Sequence, residues 1–352
     1  MKTFKQALRN FKKRHPFVLF SLPESHTLTG FFQTDDKPSR CSDFTKNGFV
    51  FAPFDFEKDA YFIQKEKALV IEEELVINDI LKNEKDFDFN TKEKEVYLEL
   101  LHKTVETIKN SELKKIVTSR KKTISLLDLD FAQLFNRLFN LYPNAFRYVW
   151  FHPETGLWLG ATPEILVQTK DLSFTTMALA GTKKNINGEE PQWTAKEKQE
   201  QQYVTDAIIN ALEPVTSVIR IAKRHTKRAG NVAHLCTPIT GVFNYHKTNL
   251  ASITQALHPT PAVCGTPRDE AKDYILKNEG YNREFYSGFL GPVCNESKCS
   301  YFFVNLRCLK IQDMLATLYV GGGITKDSIP ELEWEETQNK LQTMMQVIAP
   351  FI

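Results

Sequence analysis

The stretch that most constrains this chain is a run of three glycines followed by a pattern of helical periodicity. Residues 321–323 are all glycine, and residues 329–340 read IPELEWEETQNK. The proline near the start suits the first turn of a helix, and glycines let a backbone approach a ligand closely. In such a helix, Glu333, Glu336 and Lys340 share one face. That face is either a solvated surface or one wall of a binding site.

A second pair of acidic residues repeats this spacing. Glu197 and Glu200 lie three positions apart in the sequence AKEKQEQQYV, which continues as a helical pattern to about residue 212. Two helices that each offer two carboxylates can form an oxygen-rich site for a hard cation such as Mg²⁺. The spacing therefore raises the hypothesis of a metal site formed by four glutamates.

Two further charged residues lie among apolar neighbours. Lys115 begins the strand pattern KIVTSR and shares a face with Val117, so it is either a surface lysine or has its ammonium in a pocket. Glu164 lies between Pro163 and the apolar residues 165–167. A half-buried carboxyl there would have a raised pKa and act as an acid near neutral pH. The alternative is an exposed bulge.

Composition excludes several classes of function. The 352 residues carry 45 basic and 43 acidic side chains, so the net charge of +2 favours neither nucleic acid nor an anionic membrane. No apolar run approaches the roughly 18 residues of a membrane-spanning helix. The six cysteines form no CxxC pair, which favours a reduced, cytoplasmic protein without zinc or disulfides. The start of the chain is interpreted as part of the fold, not as a targeting peptide.

Periodicity predicts strands and helices along the whole chain. Residues 83–94 are predicted to be a flexible surface segment, and a helix is predicted over residues 94–110. Residues 146–168 are predicted to form a hairpin. Short connectors between the last strand-like runs indicate antiparallel pairing, with Arg307 as a charge inside the second run. These runs cover residues 281–293, 299–311 and 314–324.

In this order, the motifs resemble those of the chorismate-utilising enzymes, which include isochorismate, salicylate, anthranilate and aminodeoxychorismate synthases. The match covers about residues 113–343 and comprises KIVTSR, LGATPEIL, ALAGT, KExxE, LHPTPAVCG, NREFYSGFLG, NLRC and GGGI…ELEWEETxxK. The resemblance implies an α+β fold like that of anthranilate synthases, a single large domain of packed antiparallel sheets flanked by helices over residues 1–352. Residues 1–100 would be its variable N-terminal part and residues 105–345 its motif-bearing core.

The resemblance also implies a site that binds Mg²⁺ and chorismate, an enolpyruvyl cyclohexadiene dicarboxylate. Glu200 and Glu336 match direct ligands of the metal, and Glu197 and Glu333 match carboxylates that hold metal-bound waters. Gln201 follows Glu200 where the family commonly has histidine, and a glutamine can still orient the ligand by a hydrogen bond. Positions around the substrate are matched by Gly181, Thr182, His234, Tyr286, Arg307, Gly321, Gly323 and Lys340.

Two positions indicate which reaction the site performs. In the family's hydroxymutases and salicylate synthases, a lysine matching Lys115 takes a proton from the water that attacks C2. Glu164 matches the acid that protonates the departing C4 hydroxyl. Anthranilate synthases usually lack that lysine, and aminodeoxychorismate synthases carry another lysine where this chain has Ala180. Both differences favour water over ammonia as the nucleophile.

We therefore expect an isochorismate synthase, an isomerase that uses Mg²⁺ and no organic cofactor. The alternatives are a salicylate synthase, which also eliminates pyruvate, an ammonia-using synthase component, and a non-catalytic homologue. A cytoplasmic monomer is expected, with no obligatory glutaminase partner and no nucleic-acid or membrane partner. The product would serve either menaquinone or siderophore synthesis.

Overall fold

Helices and strands alternate along the computed structural model, which describes residues 1–56, 59–78, 80, 91–184, 190–229, 232–244, 248–294 and 299–352. The helices in these ranges are α1 (Lys2–Lys13), α2 (Thr91–Lys109), α3 (Phe131–Leu141), α4 (Ala195–Leu212), α5 (Leu250–Leu257), α6 (Arg268–Asn278) and α7 (Pro330–Ile348). The strands are β1 (Phe17–Ser21), β2 (Thr27–Gln33), β3 (Arg40–Cys41), β4 (Gly48–Ala52), β5 (Ala60–Gln64), β6 (Ala68–Glu74), β7 (Lys115–Ser125), β8 (Phe146–His152), β9 (Gly156–Thr162), β10 (Ile165–Lys170), β11 (Ser173–Lys184), β12 (Thr216–Ile221), β13 (His225–Ala229), β14 (Val232–Phe243), β15 (Gly265–Thr266), β16 (Phe289–Val293), β17 (Cys299–Val304), β18 (Cys308–Gln312) and β19 (Leu315–Ile324).

The strands form two antiparallel sheets. Sheet A has the order β15-β7-β19-β18-β9-β8-β1-β2-β6. Sheet B has the order β12-β14-β11-β10-β17-β16-β4-β5-β3, and β13 also pairs with β14. Strands from residues 1–100 join later strands in both sheets, since β1 pairs with β8 and β4 pairs with β16. The predicted α+β fold with antiparallel sheets is confirmed, and the division into a variable part and a core stays a prediction.

Aromatic side chains fill the space between the two sheets. Phe146 of sheet A and Phe303 of sheet B stack with ring centroids 4.2 Å apart. Phe51 of sheet B stacks on Phe285 at 4.3 Å and on Trp150 of sheet A at 4.9 Å. Helices α1, α3 and α7 cover the other face of sheet A, and α4 and α5 cover that of sheet B. Each sheet is therefore buried on both faces over much of its area.

The three long helices predicted from periodicity are present, and the one that carries Glu197 and Glu200 is α4. The helix predicted over residues 94–110 is α2, and the one that begins at the proline after the glycine run is α7. The segment predicted to be flexible, residues 83–94, lies outside the described residues up to residue 90, and its end belongs to α2. No helix among the described residues is long and apolar enough to cross a membrane.

The predicted hairpin over residues 146–168 is corrected by the structure. Its first two strands pair as predicted, but β9 ends at Thr162 in sheet A and β10 begins at Ile165 in sheet B. Pro163 has no N–H to donate to a strand ladder, so the chain leaves sheet A there. The dipeptide Pro163-Glu164 therefore crosses from one sheet to the other.

A second crossing corrects the interpretation of Arg307 as a charge inside a strand. Strand β17 ends in sheet B, β18 begins in sheet A, and Arg307 lies between them with a φ of +47°. The predicted strand over residues 281–293 is also shorter, because residues 281–288 form turns before β16. The sequence pattern missed both points because strand-like apolar residues follow directly after each break.

Hydrogen bonds hold the two crossings side by side. The Thr162 hydroxyl donates to the Val304 carbonyl at 2.7 Å and accepts from the Glu164 amide at 3.3 Å. The Val304 amide donates to the Glu164 carbonyl at 3.0 Å, and the Ala161 amide donates to the Arg307 carbonyl at 3.0 Å. Glu164 and Arg307 are thereby fixed next to each other, although 143 positions separate them in sequence.

Substitution Thr162→Val should destabilise the protein by about 1–3 kcal/mol, because it removes a fully buried hydroxyl and leaves the backbone N–H of Glu164 without its partner. The free energy of unfolding from urea titration measures this. Thr123→Val in the exposed part of β7 is the matched control, expected within about 0.5 kcal/mol of wild type. Equal effects of the two substitutions would contradict the role given to Thr162.

Candidate active site

The two crossings form part of the wall of a cavity between strands of both sheets. Other walls come from β7 and β19 of sheet A, from β11 and β14 of sheet B, and from α4 and α7. Most of the residues predicted to form the site line it. These are Lys115, Glu164, Gly181, Glu200, His234, Tyr286, Arg307, Gly321, Gly323, Glu336 and Lys340.

The other three predicted residues are Glu333, Glu197 and Thr182. Glu333 lies behind the glycine run, with Oε2 3.7 Å from where a Cβ on Gly322 would be. Glu197 lies at the start of α4, and its Cβ is 3.1 Å from the position that a Cβ on Gly181 would occupy. The side chain of Thr182 is outside the described part of the structure, so its predicted contact with substrate stays a prediction.

Lys115 is the first residue of β7 and is only 1% exposed, so the alternative of a surface lysine is wrong. Its Nζ lies 3.0 Å from Oε1 of Glu200. The glycine at 323 is needed for this pair, because a Cβ there would lie 2.4 Å from Glu200 Oε1 and 2.7 Å from Lys115 Cε. The glycine run thus makes room for charged side chains beside the strand.

Glu164 is 5% exposed, which rules out the exposed bulge. Burial raises the pKa of Glu164 to about 7. Four cations oppose that rise: Lys115, Lys227, Lys340 and Arg307. The carboxyl can therefore give up or take a proton near neutral pH, and its ionised form is surrounded by positive charge.

Each of the four predicted metal ligands is paired with a lysine ammonium in this structure. The pairs are Glu200 with Lys115 at 3.0 Å, Glu336 with Lys340 at 2.6 Å, Glu333 with Lys196 at 2.7 Å and Glu197 with Lys183 at 3.7 Å. In the described ranges, no three His, Cys, Asp or Glu side chains are close enough to hold one ion. The alternative of a solvated helix face is nevertheless wrong, since Glu333 is 4% exposed.

The donor set fits a hard cation. Carboxylate oxygens of Glu200, Glu333 and Glu336 all lie within 4 Å of the Cβ positions that Gly322 and Gly323 lack. Burial and the nearby charge of Glu336 raise the pKa of Glu333 to about 7, because these carboxylates are crowded. A divalent cation would offset that crowding, and carboxylates are ligands that Mg²⁺ accepts.

Glu197 has a second, local function. It forms the capping box of α4, in which its carboxylate accepts from the backbone N–H of Thr194 at 2.8 Å and from the Thr194 hydroxyl. Burial raises its pKa, but these hydrogen bonds outweigh it and the net pKa of Glu197 is lowered. The carboxylate is therefore held ionised at the helix start, where the helix dipole also favours negative charge.

The remaining polar groups around the cavity are held by neighbouring atoms. The Lys340 ammonium donates to the Gly321 carbonyl at 2.9 Å, and Arg307 donates to the Thr343 hydroxyl at 3.3 Å instead of to a carboxylate. The Nδ1 of His234 lies 3.1 Å from the Gly181 carbonyl. Burial lowers the pKa of His234 to about 3, so this ring is neutral at neutral pH.

Sequence reasoning missed some residues of the site and misjudged another. Lys227 on β13 is close enough to Glu164 to lower its pKa, and Lys196 pairs with Glu333. The cross-strand pairing of Lys227 with His234 is a signal that only the strand register reveals. Gln201 was expected to orient Glu200, but its amide donates to the hydroxyls of Thr237 at 2.8 Å and Thr205 at 2.9 Å. It thus ties α4 to sheet B.

The chain belongs to the chorismate binding enzyme family, whose model matches residues 49–349.

Individual relatives show which enzymes of the family this chain is similar to. The chain is 32% identical to the isochorismate synthase DhbC of Bacillus subtilis over 54% of this chain and 50% of that protein. It is 32% identical to the isochorismate synthase MenF of Escherichia coli over 71% of this chain and 60% of that protein. The chain thus matches only 50% of the length of the first of these relatives and 60% of the length of the second. The crystal structure of a putative 2,3-dihydroxybenzoate-specific isochorismate synthase, DhbC from Bacillus anthracis, superposes with a TM-score of 0.82. Its sequence is 25% identical over 98% of this chain and 99% of that chain.

Substitution Glu164→Gln should stabilise the protein increasingly as the pH rises from about 5 to about 8. The pKa of Glu164 in the folded protein is about 7, above its ordinary value of 4.5, so the folded state holds a proton that the unfolded chain releases. The wild type therefore loses stability through this interval, by about 3 kcal/mol for a shift of this size. Urea titration at several pH values measures the difference between variant and wild type.

The matched control is Glu95→Gln on the exposed face of α2, whose difference from wild type should not change over this interval. A Glu164→Gln difference that is equally constant would show that Glu164 titrates as an ordinary surface carboxyl.

Proposed function

We propose that this protein is an isochorismate synthase, which converts chorismate reversibly into isochorismate. The observation that carries the proposal is that Lys115 and Glu164 are both buried and line the same cavity. Family membership and the likeness to isochorismate synthases support chorismate as the substrate. In this reaction one water adds its oxygen at C2 and the C4 hydroxyl leaves as water, so substrate and product are isomers.

Lys115 is the base that takes a proton from the attacking water. Lys115 is buried in the cavity wall, and its Nζ lies 3.0 Å from the carboxylate of Glu200. The other lysine that would mark an aminodeoxychorismate synthase is replaced by Ala180 in the cavity wall, which supports water over ammonia as the nucleophile.

Glu164 is the acid that protonates the hydroxyl leaving C4. With a pKa of about 7, a substantial fraction of its carboxyl is protonated at neutral pH. The carboxylates of a bound substrate and the exclusion of water would raise that fraction. In the reverse direction the Glu164 carboxylate takes a proton from the water that attacks C4, so one group serves both directions.

Binding of a dicarboxylate is supported by the charges and the backbone of the cavity. Arg307 and Lys340 both supply positive charge to the cavity wall. Arg307 lies in the second crossing and Lys340 lies on α7. The glycines at 321 and 323 leave the backbone of β19 accessible, because they carry no side chain. Tyr286 is buried and stacks on Tyr319 at 5.5 Å, which provides a flat wall for the substrate ring.

We propose further that the reaction requires Mg²⁺, held directly by Glu200 and Glu336 and through water by Glu197 and Glu333. When bound, the ion would neutralise these carboxylates and one carboxylate of the substrate. The donor chemistry and the crowding of Glu333 against Glu336 support this assignment.

The test of the function is incubation of the pure protein with chorismate and Mg²⁺, with products resolved by chromatography. Isochorismate alone is expected. Salicylate would indicate that pyruvate elimination follows in the same site, and anthranilate formed with added ammonium would indicate an amidotransferase component. Absence of any product would favour a non-catalytic homologue. Because water is the nucleophile, we expect that the protein needs no glutaminase partner to supply ammonia. We also expect it to be a cytoplasmic monomer.

Substitution Lys115→Gln should lower turnover by about 10²-fold or more, the usual scale for loss of a general base. The glutamine keeps a hydrogen-bond donor beside Glu200 but cannot take a proton. Lys114→Gln is the matched control, because that neighbouring lysine is exposed and should retain full activity. In solvent enriched with ¹⁸O, the wild-type product should carry the label in its C2 hydroxyl, and its absence there would contradict the mechanism.

Removal of metal with EDTA should abolish turnover, and added Mg²⁺ should restore it and raise the melting temperature, since a ligand that binds only the folded state stabilises it. Glu200→Gln and Glu336→Gln should each lose both responses while remaining folded. Glu335→Gln on the exposed face of the same helix should keep both. Full activity of the wild type in metal-free buffer would refute the metal assignment.

A further inference from the structure

A second cavity adjoins the candidate active site at the two crossings. Pro163 and Arg307 line both cavities, and the second one continues outward between the loop at residues 142–145 and strand β13. We call this second cavity the vestibule. Lys227 and Arg228 lie on its outer side, and no described residue in its wall carries a carboxylate. The vestibule is therefore a positively charged space next to the site.

The strand register explains why Lys227 points inward. Lys227 is paired directly with His234 across β13 and β14, and directly paired residues of an antiparallel sheet project on the same face. His234 lines the active-site cavity, so Lys227 projects toward that side. Its Nζ contacts two neutral atoms, the carbonyl oxygen of Pro163 at 3.4 Å and the sulfur of Met177 at 3.5 Å.

Lys227 and Arg228, two of the three cations in the described wall of the vestibule, have different partners. Arg228 lies 3.6 Å from the carboxylate of Glu190, and both side chains are exposed, so solvent screens that pair. Lys227 is half-buried and is close enough to Glu164 to lower that residue's pKa, which opposes the effect of burial. The ammonium of Lys227 thus lies near Pro163, where the vestibule and the site meet.

A third cavity also adjoins the site, and its wall carries both signs of charge, since four lysines lie in it beside two carboxylates. Glu200 lines both this cavity and the site, and Asp327 also lies in its wall. Lys196 in the same wall is paired with Glu333. A dicarboxylate entering there would pass Glu200, the carboxylate that this cavity shares with the site. In the vestibule the charged residues of the described wall are all cations: Lys227, Arg228 and Arg307.

We propose that the vestibule is the route by which a dicarboxylate substrate reaches the site, and that Lys227 selects for negative charge along it. This inference rests on the proposed function for the identity of the dicarboxylate. It adds an access route and a specificity-determining residue that lies outside the predicted catalytic and metal-binding groups.

The first test blocks each cavity in turn. In a background in which the partly exposed Cys294 and Cys299 are replaced by serine, Asn144→Cys provides a thiol at the vestibule and Ser111→Cys one at the third cavity. Benzyl methanethiosulfonate adds a bulky group to each thiol, and dithiothreitol removes it. The labelled Asn144→Cys protein should lose most of its kcat/KM and recover it with dithiothreitol, and the labelled Ser111→Cys protein should lose little.

The second test measures the charge effect. Lys227→Met should raise KM for chorismate by about tenfold at low ionic strength, change kcat by a smaller factor than KM, and weaken the dependence of kcat/KM on NaCl. Lys227→Arg should restore wild-type behaviour. Lys12→Met, on an exposed position of α1, is the control and should change nothing.

Several outcomes would overturn the proposal: loss of activity on labelling at Ser111→Cys but not at Asn144→Cys, a fall in kcat without a change in KM for Lys227→Met, or an unchanged salt dependence. Failure of the proposed function is recognised separately, because the unlabelled background protein would then form no isochorismate. In that case the dissociation constant of chorismate, measured by calorimetry on the same labelled proteins and variants, decides the inference.

Discussion

The structure depends on the hydrogen bonds that hold two sheet-to-sheet crossings side by side. Each crossing carries one charged residue, Glu164 in the first and Arg307 in the second. The Thr162 hydroxyl and the Val304 backbone connect them at distances of 2.7–3.0 Å. Because the chain changes sheets there, backbone polar groups that would otherwise pair within one ladder are satisfied between the crossings. An acid and a cation are thereby held at fixed positions in the cavity wall, between two sheets that pack through rigid aromatic rings.

Around this centre, charge is balanced pairwise. Lys115, Lys196 and Lys340 each lie within 3.0 Å of a glutamate on α4 or α7. Buried charges are costly unless they are paired, so the lysines make four acidic residues tolerable near the glycine run. The same arrangement suits a site that binds a charged substrate and a metal ion. An ion that enters can take the place of one member of a lysine–glutamate pair as the partner of the other. Lys227 differs, because its closest contacts are the neutral Pro163 carbonyl and Met177 sulfur.

Much of the fold and site was predictable from local patterns. Helical spacing placed Glu333, Glu336 and Lys340 on one face of α7, and strand alternation placed Lys115 beside Val117. The hairpin over residues 146–168 and the strand around Arg307 were wrong in part, because apolar strand residues lie directly on both sides of each crossing. Each crossing is only two or three residues long, so the patterns of the strands on its two sides are interpreted as one continuous strand.

The sequence by itself determined the chemistry available: four glutamates at helical spacing, a lysine and a glutamate in apolar stretches, and glycines where side chains would not fit. Its motif order also determined the family. Only the tertiary structure decided which charges meet. It paired Lys115 with Glu200, committed Gln201 to anchoring α4, and brought Lys227 to within range of Glu164 through the register of β13 on β14. These contacts join residues far apart in sequence, and a one-residue change of register would turn Lys227 to the opposite face.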